Sequence, residues 1–340
     1  MSSAFPLFRA GGIAPFSRWA GSSGRPMGEL LDTCGLSHVP HESLNQPISL
    51  VSAMRFVREL HLSDGPDIGV RVVGKESIAD LGYLAEILMS ADTLRQALHR
   101  LTVAMPNYST HENIALLPAR GGGIFVETMS IEVDLATLHV VQQYVATLLN
   151  SLCQLTGTPD APFESIEITP HPDLGVTYLE RQFGVRPTAS TRRRLAIFIP
   201  DRILDQAFRP RGDRPTGGRT PCEWQALRRG GGISRTVRLY VESMVEDGVP
   251  SIEKLGDASG MSLRTLQRRL TEDGTSYAEI LDDVRRCKAL NGLGCRDVPI
   301  GALAEELAYN GTPAFTRAVR RWTGLSPRDY RKLAKPDGTR

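Results

Sequence analysis

Apolar positions recur at intervals of three and four through residues 252–270, IEKLGDASGMSLRTLQRRL, break at Gly260 and then resume. This pattern predicts two short helices joined by a tight turn. Gly260 supplies permissive backbone for the turn, Ser262 is placed to cap the next helix, and Leu263, Leu266 and Leu270 form its buried face. The opposite face then carries Arg264, Gln267, Arg268 and Thr271. Arg and Gln pair bidentately with guanine and adenine edges in the major groove, so this face has the chemistry of direct base readout. A solvated surface helix is built in the same way, and one basic amphipathic helix does not separate the two.

A second copy of the layout separates them. In residues 300–322, IGALAEELAYNGTPAFTRAVRRW, the positions Ile300, Leu303, Ala308, Tyr309, Phe315 and Val319 fall opposite Ile252, Leu255, Gly260, Met261, Leu266 and Leu270. The offset is 48 residues before the turn and 49 after it. Between the repeats, Tyr277, Ile280, Leu281, Val284 and Leu290 lie at helical intervals over residues 276–292, and a continuous helix there would fix the repeats relative to each other. Residues 234–246 predict an amphipathic scaffold helix through Val237, Leu239, Tyr240, Val241 and Met244. Two recognition helices on one body can enter successive major grooves if they stand about 34 Å apart.

The N-terminal part has a mixed pattern. A helix is predicted within residues 44–62 on Leu50, Ala53, Met54, Val57 and Leu60, ending at Ser63-Asp64-Gly65-Pro66. A second helical region over 78–105 breaks near Ser90, after which Leu94, Ala97, Leu98 and Leu101 restart the period. Strand-like runs at 113–117 and 124–129 flank Arg120-Gly121-Gly122-Gly123 and read as a hairpin. The triple glycine lacks the following Lys-Ser/Thr and helix start of a phosphate loop. A long helix over 135–155 carries a heptad-like seam, Leu138, Val141, Val145, Leu148, Leu152 and Leu155, which serves either core packing or a dimer interface. Strands at 165–169 and 195–199, with a short helix over 174–183 between them, complete an α+β domain. Residues 1–29, rich in Gly, Ser and Pro, read as a flexible arm.

Charge sharpens the division. Residues 1–208 hold 16 Lys and Arg against 21 Asp and Glu, and residues 209–340 hold 24 against 17, so net charges of −5 and +7 hide inside an overall +2. A basic C-terminal part on an acidic partner fits a nucleic-acid module joined to a domain with another task. The boundary is the Arg-, Pro- and Gly-rich stretch 209–233, an interdomain linker, which places the domains at 30–208 and 234–335. Five scattered cysteines without a C-x-x-C spacing point to a reducing cytoplasm and to no structural zinc, with a sensing thiol as the lesser alternative to plain burial. The seven histidines show no metal-site spacing; His38 and His41 are close, but in a Pro-containing loop. No nucleophile and base assemble from local sequence, so neither a catalytic residue nor a cofactor is expected. No run approaches 18 uncharged apolar residues, which leaves no membrane helix. Arg192-Arg193-Arg194 reads as solvated charge or an anion contact.

Gly-Met-Ser-x-Arg-Thr-Leu-Gln-Arg-Arg-Leu at residues 260–270 and A-F-x-R-A-x-x-R-W-x-G-x-S-P-x-x-Y-R at residues 314–331 resemble the DNA-binding domain of AraC/XylS-family bacterial transcription regulators. The resemblance implies base-reading roles for Arg264, Gln267 and Arg268 in the first repeat and for Thr312, Thr316 and Arg317 in the second. Pro313 stands where the family often has a polar residue, and Tyr309 replaces the usual Phe. Pro is tolerated in a first turn but donates nothing, so the second repeat should specify less. The first 180 or so residues resemble the effector-binding and dimerisation region of the family branch with a mixed helix-and-strand domain, rather than the all-β cupin of the sugar-responsive members.

The expected protein is a cytoplasmic, ligand-responsive activator. Its mixed α+β N-terminal domain, not a cupin, precedes an all-α double helix-turn-helix domain. Its expected partners are double-stranded promoter DNA, a small-molecule effector and RNA polymerase, with a homodimer through Leu138, Val141, Val145, Leu148 and Leu152 as the alternative use of that seam. Two rivals are a nucleic-acid-modifying enzyme targeted by the repeats and a ligand-independent DNA-binding protein.

Overall fold

The computed structural model describes residues 4–36, 43–157, 161–207, 226–228, 232–245, 248–294 and 298–333. The chain divides into two compact units, one formed by residues 6–230 and one by residues 231–340 together with residues 4–5. The linker expected over 209–233 lies outside the described residues except at 226–228 and 232–233, and His38, His41, Cys222 and Cys295 lie outside them altogether.

In the N-terminal unit β1 (Leu7–Arg9), α1 (Ala14–Ser22) and α2 (Met27–Cys34) are followed by β2 (Pro47–Ser49), α3 (Leu50–Asp64) and α4 (Ile68–Arg71). Then come α5 (Tyr83–Met89), α6 (Leu94–Tyr108), β3 (Glu112–Ala119), β4 (Gly122–Met129), α7 (Leu135–Gln154), β5 (Ser165–Ile168), α8 (Glu180–Phe183), β6 (Thr188–Ala189), β7 (Arg194–Pro200) and α9 (Asp201–Leu204). The break expected near Ser90 falls between α5 and α6, where the Thr93 side chain accepts the Gln96 N–H and starts α6. The hairpin forms as β3 and β4 and joins a five-stranded sheet in the order β3-β4-β7-β5-β6, antiparallel except for β5 and β6.

Two expectations are corrected here. The supposed flexible arm is part of the core: β1 pairs with β2, Leu7 opposite Ser49, and Phe8, Ile13, Phe16 and Ala20 are buried. Its few apolar residues find their partners far along the chain, as where the Phe16 ring meets Tyr144 at 5.0 Å, and composition averaged over the stretch hides them. The dimer use of the α7 seam gives way to core packing. Leu138, Val141 and Leu152 are buried, and Val145 and Leu148 pack against the same core, because α7 is clasped by α3, α4, β5 and β7 together. A 20-residue helix covered on several sides has no apolar stripe left for a second copy.

Two of the three described thiols are turned inward, and Cys287 is exposed. Cys34 and Cys153 are buried, and burial pushes the Cys34 thiol up to about 11, away from the thiolate that sensing requires. His139 donates through Nδ1 to the Thr169 carbonyl at 2.6 Å and accepts at Nε2 from the Tyr178 hydroxyl at 2.5 Å, a neutral imidazole in a closed network. His171 lies beside it, with ring centroids 5.6 Å apart, yet among the described residues no group of three or more His, Cys, Asp or Glu is placed to hold a metal ion. Of the three arginines, Arg194 is committed to Glu167 at 2.9 Å and Arg193 to the Val133 carbonyl at 2.5 Å.

The C-terminal unit is helical throughout: α10 (Ile233–Met244), α11 (Ile252–Ser259), α12 (Leu263–Glu272), α13 (Tyr277–Gly294), α14 (Ile300–Glu306), α15 (Gly311–Thr323) and α16 (Pro327–Leu333). Ser276 and Glu279 cap each other at the start of α13, the Ser276 N–H donating to Glu279 at 2.8 Å and Ser276 Oγ accepting the Glu279 N–H. No described helix is long and apolar enough to cross a membrane.

Candidate nucleic-acid interface

Each repeat folds as helix, turn, helix. In the first, Ser251 accepts the Lys254 N–H to start α11, Gly260 closes it at φ +66°, and Ser262 accepts the Thr265 N–H to start α12. Leu255, Leu266 and Leu270 are buried between the helices. Leu263, expected beside them, is 37% exposed because it sits at the first position of α12. Its side chain instead lies over Gly256, where an added Cβ would come within 2.9 Å of it.

Arg264, Gln267, Arg268 and Thr271 are exposed, at spacings of three and four that put them on one face of α12. Arg268 pairs with Glu272 at 2.5 Å, an exposed i,i+4 ion pair that orders the guanidinium weakly and leaves it available to a stronger acceptor. In the second repeat Thr312 and Arg317 are exposed and Thr316 is half-buried, while Phe315, Ala318 and Val319 turn inward. Pro313 lies in the first turn of α15, where its missing N–H interrupts no helical hydrogen bond. Asn310 precedes this helix without a side-chain cap, so α15 begins with less local support than α12.

The turns differ more sharply. Ala308, opposite Gly260, adopts φ +50°, a left-handed conformation that costs a side-chain-bearing residue energy. It is held from outside: Arg285 of α13 donates through Nε to the Leu307 carbonyl at 3.0 Å and through Nη2 to the Ala308 carbonyl at 2.9 Å. Its guanidinium also stands 4.6 Å from the centroid of the Tyr309 ring. Ala308→Gly is expected to raise stability by about 0.4–1 kcal/mol, in the range for relief of a positive φ after the unfolded chain's added freedom is charged against it. Urea denaturation of the full chain checks this, and a fall in stability would show that the turn is unstrained.

Asp282, one turn before Arg285, accepts from Trp322 Nε1 at 2.9 Å and pairs with Arg321. On its other side α13 meets α10, where Arg238 reaches Asp283 at 2.7 Å. One unbroken helix of 18 residues therefore carries both motifs. Sequence reasoning found its apolar positions but passed over Asp282 and Arg285, whose three-residue spacing on a polar face reads as solvated charge.

Residues 255–333 match the family model of a helix-turn-helix domain, and residues 24–208 match that of the arabinose-binding domain of AraC transcription regulators, N-terminal. The HTH-type transcriptional regulator VqsM of Pseudomonas aeruginosa is 33% identical over 101 residues, 30% of this chain and 31% of that one, so the match spans about a third of that relative. The HTH-type transcriptional regulator VirS of Mycobacterium tuberculosis is 27% identical over 326 residues, 88% of this chain and 90% of VirS. The crystal structure of the transcriptional regulator CdpR from Pseudomonas aeruginosa is similar over 91% of this chain and 98% of that one, with 22% identity and a TM-score of 0.37. With the N-terminal match alone taking in more than half of the residues and the paired motifs following it, the chain belongs to the AraC family of transcription regulators.

Proposed function

We propose that this protein is a ligand-responsive activator that binds promoter DNA sequence-specifically, α12 and α15 entering successive major grooves. The observation that carries this reading is the pair of exposed polar faces, on two helix-turn-helix motifs bridged by the unbroken α13. Arg264, Gln267 and Arg268 take the larger part in reading bases. Thr312, Thr316 and Arg317 take the smaller, because Thr316 is half-buried and Pro313 contributes no donor. The family is one of regulators rather than enzymes, and the N-terminal unit is assigned the sensing of a small molecule. Ligand binding alters DNA engagement only through different affinities for the two arrangements it links. RNA polymerase is the expected partner at the promoter, in the cytoplasm. Homodimerisation, where a promoter requires it, falls to outer surfaces of the N-terminal unit, since the α7 seam is spent on the core.

Arg268→Ala is expected to weaken specific binding by about 1–3 kcal/mol and to relax one base position, as for loss of a bidentate contact. A binding assay on the promoter and on base-substituted variants checks this. Equal loss on every sequence would reassign Arg268 to a phosphate, and no loss would remove it from the interface.

A further inference from the structure

The N-terminal unit contains a partly open cavity of about 110 Å³, walled mainly by apolar side chains, among them Phe16, Met54, Leu98, Phe125, Val141 and Leu152. Three polar groups also line it. Tyr108 and Tyr144 are 4% and 6% exposed, and both hydroxyls are buried without a hydrogen-bond partner. Their rings are fixed, Tyr108 edge-on to Phe8 at 6.4 Å and Tyr144 against Phe16 at 5.0 Å, so the hydroxyls cannot swing away to find partners. The third group is Glu112, at the start of β3.

A second carboxyl backs the first. Strand alternation puts Glu127 on the same face of β4 as the lining residues Phe125 and Met129, and it is fully buried beside the Gln142 amide. Burial pushes both carboxyls up, Glu112 to about 7 despite the nearby Arg228, and Glu127 well above its usual range, with the Glu112 charge adding to the effect. No Lys, Arg or His lines the cavity. Buried polar groups are ordinarily paired, so two unmet hydroxyls and a carboxyl lining one apolar chamber have the character of a binding site.

We infer that this cavity is the effector site and that it takes a small organic cation, a protonated amine with a short apolar body, roughly four or five non-hydrogen atoms in all, given that a cavity of about 150 Å³ holds benzene. The assignment rests on the proposal that the N-terminal unit senses a small molecule. An ammonium group has N–H donors for the Glu112 carboxylate and for both tyrosine oxygens, and the aromatic walls favour a cation. A carboxylate ligand would meet the Glu112 carboxyl with no counter-charge in the lining. A neutral alcohol would serve the hydroxyls but leave the carboxyl unmatched. Occupancy also has a short route out of the cavity: Arg228 donates from its backbone N–H to the Pro106 carbonyl at 2.9 Å, and through its guanidinium to the Glu112 carbonyl and to Asn113 Oδ1 at 2.6 Å. The strand end that presents Glu112 is thus also the anchor of the segment leading out of the unit.

The size-matched set n-butylamine, n-butanol and propionate tests this on the full chain, by calorimetry and thermal shift at pH 7. Butylamine is expected to bind and to raise the melting temperature, butanol to bind at least tenfold more weakly, and propionate not at all. Glu112→Gln should weaken butylamine at least tenfold and leave butanol unchanged; Tyr144→Phe, which keeps the ring, should weaken butylamine at least threefold and serves if Glu112→Gln fails to fold. Propionate or butanol binding as tightly as butylamine, no binding by any of the three, or indifference to both variants would overturn the assignment. Promoter binding without ligand is measured in parallel: its retention with no amine response sinks the site but not the regulator, whereas its absence sinks the regulator reading itself.

Discussion

Phe315→Ala is expected to cost about 3–5 kcal/mol, the range for emptying a large aromatic site in a closed core. Phe315 is fully buried at the centre of the second motif, and its ring meets Tyr309 at 5.6 Å in an edge contact. Leu303, Leu307 and Val319 are buried in the same motif and cannot collapse far into the vacated space, because the turn between the helices is pinned by Arg285. Urea denaturation of the full chain should show the loss, and promoter footprints should lose the half read by α15 before the half read by α12. A cost under about 1 kcal/mol would mean that the motif repacks freely.

Acidification is expected to act on the N-terminal unit through groups that oppose each other. His139 and His111 are buried and neutral, each pushed down to about 4; burial is the main cause, reinforced at His139 by His171 and His61 and at His111 by Arg228. Their folded values lie below the unfolded value near 6.5, so the stability they contribute is present above about pH 6.5 and is lost as pH falls towards 4. Between pH 7 and pH 5 the loss is about 2 kcal/mol each. Glu112 is raised to about 7 from an unfolded value near 4.5, so its contribution is full at low pH and is lost as pH rises. Acidification over the same window returns about 2 kcal/mol through Glu112, and Glu127 acts in the same direction. The unaltered protein should therefore lose less than about 2 kcal/mol between pH 7 and pH 5, since Glu127 offsets part of what Glu112 leaves. The double variant Glu112→Gln with Glu127→Gln should lose about 4 kcal/mol over that window, since only the histidines then titrate. Denaturation curves at a series of pH values check this, and parallel curves for the two proteins would place the carboxyls in water.

Much of the C-terminal unit was legible because its information is local. Helical periods, the Gly260 turn and the Ser262 cap are written within a few residues of one another, and the second copy made the pattern improbable as surface decoration. Ala308 is the exception: its alignment with Gly260 was visible, but its positive φ was not, because the contact that holds it comes from Arg285, 23 residues away. In the N-terminal unit the α5/α6 break, the hairpin and α7 were foreseen for the same local reasons. The arm was misjudged, and the seam on α7 remained ambiguous, because a helical stripe looks the same whether its own domain or another copy covers it.

The sequence by itself determined the double helix-turn-helix, the residues on its outer faces, the mixed α+β character of the N-terminal domain and the family resemblance. Hydrophobic period and turn chemistry act over one or two turns, and that range is enough to specify each of these. Only the tertiary structure decided that α7 faces inward, that α13 grips the second motif through Asp282 and Arg285, and that Tyr108, Tyr144 and Glu112 line one chamber with Glu127 buried on the adjoining strand. Glu127 left a faint trace, an acid where strand alternation calls for an apolar residue between Phe125 and Met129. Which side chains share a cavity depends on contacts between segments dozens of residues apart, and the energy of burying a carboxyl there is fixed by neighbours that no local pattern names.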